Sequence, residues 1–191
     1  MAQQPTREQA WNLLCEQVPS ENLRRHALAV EAVMRHLARK RGEDEHAWGL
    51  VGLIHDVDYE RHPEEHLQHT EALLLEQGWP AAWIRAVLAH GWGICTEVEP
   101  QTPMEQALYA IDELTGLVAA AALVRPSKSV LDLPVKSVRK KWKDKAFAAG
   151  VDRGVIERGA EMLGVELTEL LGDTIEGMRT VAAEVGLKGQ G

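Results

Sequence analysis

Apolar residues recur at three- and four-residue spacing along almost the whole chain, while alternating runs of β-branched residues are missing. That periodicity predicts helices throughout and no sheet, an all-α fold. Segment 6–17 reads as a short leading helix. Ser20 is placed to cap a helix through ENLRRHALAVEAVMRHLARKR that stops at Gly42. Asp44 caps the next, which carries WGLVGLI up to His55. Pro63 and Pro80 suit first helical turns, opening helices that end near Gly78 and Gly91. The stretch TPME at 102–105 is a capping box with proline at the first helical position, and it starts the longest apolar helix, ending before Arg125-Pro126. Further helices are expected over 134–149, 152–163 and 167–185. Residues 1–125 form the expected helical core, and the helices of 126–191 pack on it within the same domain.

Composition narrows the class of protein. Of 191 residues, 45% are apolar and 26% charged, the balance of one compact domain. A net charge of −8 argues against duplex nucleic acid as a partner of the whole molecule. Cys15 and Cys95 have no CxxC spacing, which fits a reducing cytosol. The start MAQQPTREQA lacks a basic region followed by an apolar one, and no stretch reaches the roughly 18 apolar residues of a membrane span. The expectation is a soluble, cytoplasmic protein without a membrane partner.

Polar residues inside apolar faces carry the candidate chemistry. His26 lies on the stripe Leu23, Val30, Val33, Leu37 and points inward, whereas His36 falls off it and faces solvent. His55 and Asp56 close a helix that is apolar nearly all round, a position where an unpaired polar group costs several kcal/mol. Asp112 sits in the middle of ALYAIDELTGLVAAAAL, either facing inward to a partner or partly exposed beside Glu113. His66 shares a face with Thr70 and Leu73, and His90 ends a helix after Trp83 and Val87. Each alone reads equally as a satisfied core residue. His46, His62 and His69 are assigned to caps, loop and surface.

Together, His26, His55, Asp56, His66, His90 and Asp112 offer only imidazole nitrogen and carboxylate oxygen. That set suits a divalent ion such as Mn²⁺, Fe²⁺, Co²⁺, Ni²⁺, Zn²⁺ or Mg²⁺ and excludes thiolate chemistry. Four ligands would hold one ion; six could hold two, about 3.5–4 Å apart, with Asp56 best placed to bridge.

The order His26, then His55-Asp56 ending an apolar helix, then Asp112 resembles the H…HD…D signature of the HD-domain superfamily of metal-dependent phosphohydrolases. The text GLIHDVDYE, HLQHTEALLLEQGWP and VLAHG is similar to its small HDIG-type predicted hydrolases. The resemblance is strong over residues 20–120 and continues through DELTGLVAAAALVRPSKSVLDLPVKSVRKKWKDKAFAAGVDR. It implies that His26, His55, Asp56 and Asp112 are the primary metal ligands, and that His66 and His90 are the extra histidines of two-metal members, with His69 a rival for His66. The family's paired histidine is Ala89-His90 here, which puts the second ion in doubt.

The activity so implied is hydrolysis of a phosphomonoester or phosphodiester, such as a nucleotide, by a metal-activated water, with His55 and Asp56 at the catalytic centre. The alternatives are a di-iron oxygenase of HD type and a non-catalytic binder or sensor of a phosphorylated ligand. Asp58 and Glu60 are candidate acids for the leaving group. Trp92 is a candidate pocket wall or plain packing. No Gly-rich phosphate loop is present.

One segment breaks the acidic balance. Residues 125–153 hold nine basic side chains (125, 128, 136, 139, 140, 141, 143, 145, 153) against three acids (132, 144, 152). Val135, Val138, Trp142 and Ala146 make an inward stripe that leaves most lysines in solvent. Arg125 and Lys128 are the expected contacts to a small phosphorylated substrate. The stripe Leu170, Leu171, Ile175, Met178, Val181, Val185 could pair with a second copy in a homodimer.

Overall fold

Helices begin where a side chain can accept the free N–H groups of a first turn. Thr6 and Gln9 cap each other's backbone at the start of α1 (Arg7–Gln17). Ser20 accepts from Leu23 N–H ahead of α2 (Glu21–Arg41), and Gly42 ends that helix at φ +71. Asp44 accepts from His46 and Ala47 to open α3 (Glu45–Ile54). A short 3-10 turn (Pro63–Glu65), α4 (Thr70–Glu76) and α5 (Ala81–Ala89) follow. The Thr102 and Glu105 capping box starts α6 (Pro103–Leu123). The chain closes with α7 (Val135–Trp142), α8 (Arg153–Leu163) and α9 (Leu167–Arg179). This computed structural model describes residues 4–189, and no strand occurs among them.

The core gathers around α2 and α6. α2 packs on α3, α6 and α9, while α6 packs on α5 and α8. Leu50, Leu53, Ile54, Leu108, Ile111, Leu114 and Leu117 are fully buried between them, each contributing about 1.5–3 kcal/mol by leaving water. Two glycines set the closest approaches. A Cβ at Gly159 of α8 would stand 2.4 Å from Ala110 of α6, and one at Gly177 of α9 2.7 Å from the Val33 backbone of α2. The C-terminal helices therefore lie directly on the two helices that carry His26 and Asp112.

Four expectations are corrected. Pro63 opens only a 3-10 turn and α4 starts at Thr70, because residues 58–69 are held in a loop by buried hydrogen bonds described below. Pro80 caps α5 rather than entering its first turn. α7 stops at Trp142, where the Asp144 carboxylate takes the Ala146 and Phe147 N–H groups and turns the chain. α9 ends at Arg179, and its stripe is covered by the same chain: Leu170, Leu171, Ile175 and Met178 are at most 2% exposed, which removes the basis for a homodimer there. α6 is long and apolar enough to cross a membrane by length and composition, and it forms the middle of the bundle.

Candidate metal centre

Three helices end or pass at one point. His55 caps the C-terminus of α3, His90 caps that of α5, and Asp112 lies midway along α6. His26 reaches them from α2, with Nε2 2.9 Å from Asp112 Oδ1. His55 Nε2 lies 3.3 Å from both Asp112 Oδ1 and Asp56 Oδ2. The other oxygen of Asp56 faces the opposite way: Oδ1 is 3.3 Å from His66 Nε2 and 3.6 Å from His90 Nε2. The six residues expected from the sequence thus converge as two overlapping sets that share Asp56. One holds His26, His55 and Asp112; the other holds His66 and His90.

The protons in this cluster are fixed from behind. His55 Nδ1–H donates to the Gly52 carbonyl at 2.8 Å and His90 Nδ1–H to the Val87 carbonyl at 2.6 Å. Since a carbonyl can only accept, both rings carry a proton on Nδ1 and turn Nε2 to the centre. His66 Nδ1 sits 2.9 Å from Asp58 Oδ1, and Asp58 is 2% exposed. His66 Nε2 meets His90 Nε2 at 3.3 Å. The Nε2 atoms of His26, His55, His66 and His90 and the Asp56 and Asp112 carboxylates thus crowd one space, which a cation or protons carried by the imidazoles must share. His55 Nε2 is fully buried there, 3.3 Å from an oxygen of each carboxylate. These donors fit a divalent ion of the Mn–Zn series.

The electrostatics say the same of the ion-free centre. Burial alone would push His55 down, yet the Asp56 and Asp112 carboxylates hold it well above the ordinary imidazole range. Burial likewise opposes protonation of His66, and Asp56 and Asp58 overcome it and push it up to about 9. Against the burial that would raise them, His55 draws both Asp56 and Asp112 well below the usual carboxylate range. The side chains of His26, Asp112 and Asp56 keep 24%, 22% and 19% of their surface in solvent, so the centre is open on one side.

Several candidates take other roles. His69 turns away from the centre to Glu65, leaving His66 as the ligand-bearing histidine. Asp58 is spent on His66 and on the His69 N–H, and Glu60 accepts the Ser20 N–H ahead of α2, so neither is free to serve a leaving group. His36 is half-buried against Asp173 at 3.3 Å rather than in solvent. Arg125 pairs with Asp132 at 3.0 Å beyond the end of α6. At about 1.5 Å rise per residue, roughly 16 Å of helix lies between Asp112 and Leu123, ahead of Arg125 and Lys128. The side chains of Lys136, Arg139, Lys140 and Lys143 line an open groove on α7.

Sequence reasoning missed three contributors. Tyr59, 41% exposed, stands edge-on to His66 with ring centroids 5.2 Å apart. Tyr109 packs against Trp92, the candidate wall, and its hydroxyl accepts from Arg158 Nε and Nη2 at 3.1 and 3.0 Å. The buried Glu105 pairs with Arg85 at 2.6 Å and so ties α5, with His90, to α6, with Asp112. The local signal for the first was its place three residues after Asp56; the other two need the tertiary structure. Against family models, curated proteins and solved structures, the chain finds no match.

Proposed function

We propose that the chain is a metal-dependent phosphohydrolase of the HD-domain superfamily, acting on a small phosphomonoester or phosphodiester such as a nucleotide. The observation that carries the reading is the fully buried His55 Nε2 held 3.3 Å from an oxygen of each of two carboxylates. The order His26, His55-Asp56, Asp112 and its likeness to that superfamily supply the reaction class.

His26, His55, Asp56 and Asp112 would hold one divalent ion, and Asp56, His66 and His90 a second. The ion supplies a Lewis acid that acidifies water and offsets charge on phosphoryl oxygens. The protein's own part is orientation. The Gly52 and Val87 carbonyls keep His55 and His90 in the ligating tautomer, and Asp58 does so for His66. Asp56 spans both sets and faces the open side, where a water could be held by its carboxylate. Arg158 brings a guanidinium to Tyr109, one turn before Asp112 on the same face of α6, and would be a candidate to receive a phosphoryl oxygen.

Turnover of a panel of phosphorylated substrates with Mn²⁺, Mg²⁺, Co²⁺ or Ni²⁺ tests the proposal, with Asp56→Ala as control. Phosphate release that disappears in the folded variant supports it. Two bound irons with O₂ uptake and no phosphate release would instead make the centre an oxygenase. A retained phosphorylated ligand without turnover would make it a sensor.

A further inference from the structure

The loop joining α3 to α4 has two faces, and each carries histidine and carboxylate. The inner face presents Asp58 and His66 to the centre described above. On the outer face, His62, Glu65 and His69 each offer one ligand atom, and the three atoms lie within 4.8 Å of one another at the surface. His69 Nε2 is 2.9 Å from Glu65 Oε2. The rings of His62 and His69 stack with centroids 4.0 Å apart and planes tilted by 32°. The 3-10 turn Pro63–Glu65 brings this about, since it folds Glu65 back toward both imidazoles.

We propose that His62, Glu65 and His69 form an outer metal site, sharing no ligand with the inner centre, that takes Zn²⁺ or a neighbouring first-row ion from solvent. Two imidazoles and a single carboxylate are too nitrogen-rich for Ca²⁺ or Mg²⁺, which want oxygen. The same donors with one position left to water are a known way of holding zinc. Tetrahedral bonds of about 2.0–2.1 Å need donor atoms roughly 3.4 Å apart, a spacing that exposed side chains reach by small rotations. The side chains of Glu65 and His69 are 57% and 46% exposed, so nothing packed resists them.

Occupancy of this site acts on the loop that presents His66. Glu65 precedes His66 directly, and the His69 N–H donates to the same Asp58 carboxylate that holds the His66 ring. Between them Leu67 adopts φ +67, a left-handed conformation that strains a β-carbon-bearing residue. An ion bridging residues 62 and 69 pins the chain on both sides of that strained residue.

The test is Zn²⁺ binding by the full chain, read as bound equivalents and as the ring ¹⁵N resonances of His62 and His69. Wild type is expected to bind one equivalent more than His62→Ala/His69→Ala, with the same thermal unfolding in chelator. Asp112→Ala, which damages only the inner centre, is expected to keep the outer equivalent and its ring shifts. Glu65→Gln serves as a milder variant should the double one misfold. Ring resonances of residues 62 and 69 that ignore Zn²⁺, or equal stoichiometry in wild type and the double variant, overturn the outer site. Zn²⁺ is also expected to slow amide exchange over residues 58–70 in Asp112→Ala, and unchanged exchange there overturns the effect on the loop. Asp112→Ala that binds as many equivalents as wild type would count against the inner centre alone.

Discussion

Segment 55–69 carries two clusters of nearly the same donors, and they differ in what stands behind them. In the inner one, His55, His66 and His90 each have Nδ1 fixed by a carbonyl or by the buried Asp58. In the outer one, His69 meets only Glu65 and the His62 ring, and both Glu65 and His69 stay in solvent. The inner donors are ordered during folding, whereas the outer donors leave that ordering to the ion. Affinity and geometric selectivity should therefore track the backing groups more than the donor count.

Removing a donor from the inner cluster is the largest blow. Asp112→Ala should bring phosphate release to background and lower the bound manganese of the purified protein, with far-UV circular dichroism unchanged; full turnover would refute the centre. Next comes its backing. Asp58→Asn should weaken inner metal binding by about 10–100-fold, measured by competition with a chelator, while leaving Zn²⁺ at the outer trio in place. Equal losses at both clusters would erase the distinction between them.

The inner cluster also depends on a tie between helices that the outer one lacks. Burial alone would raise Glu105, but Arg85 and the Gln101 and Thr102 N–H groups hold it below the ordinary glutamate value. Its folded pKa being depressed, the stabilisation is present above about pH 4.5 and fades as pH falls through the lower folded value. Glu105→Gln should cost about 1–2 kcal/mol at pH 7 and flatten that acid limb in thermal unfolding curves. The smallest effect belongs to the outer trio: His62→Ala/His69→Ala in chelator should shift stability by no more than about 0.5 kcal/mol, read by thermal unfolding.

Much of this was legible along the chain because it is local. Ser20, Asp44 and Thr102 announce helix starts through side chains that accept the next N–H groups. His26 and Asp112 announce themselves as polar residues on apolar stripes. The segment after Asp56 was misjudged because Asp58 and His66 override the helix that Pro63 suggests. Arg125 and Lys128 were chosen for nearness in sequence to the Asp112 helix, which says nothing about the length of that helix. The locks on His55 and His90 had a usable signal, each being a histidine at a helix end three residues past the carbonyl it meets. The Arg85–Glu105 tie had none, since it joins two helices whose crossing no periodicity encodes.

α3 and α5 both finish at the inner centre, His55 and His90 being their last caps. The aligned peptide groups of a helix place about half a negative charge at such an end, so two macrodipoles add to the carboxylates of Asp56 and Asp112. In the proposed hydrolase those four sources of negative charge would draw a divalent ion inward, and the ion would then turn the same surface toward phosphate.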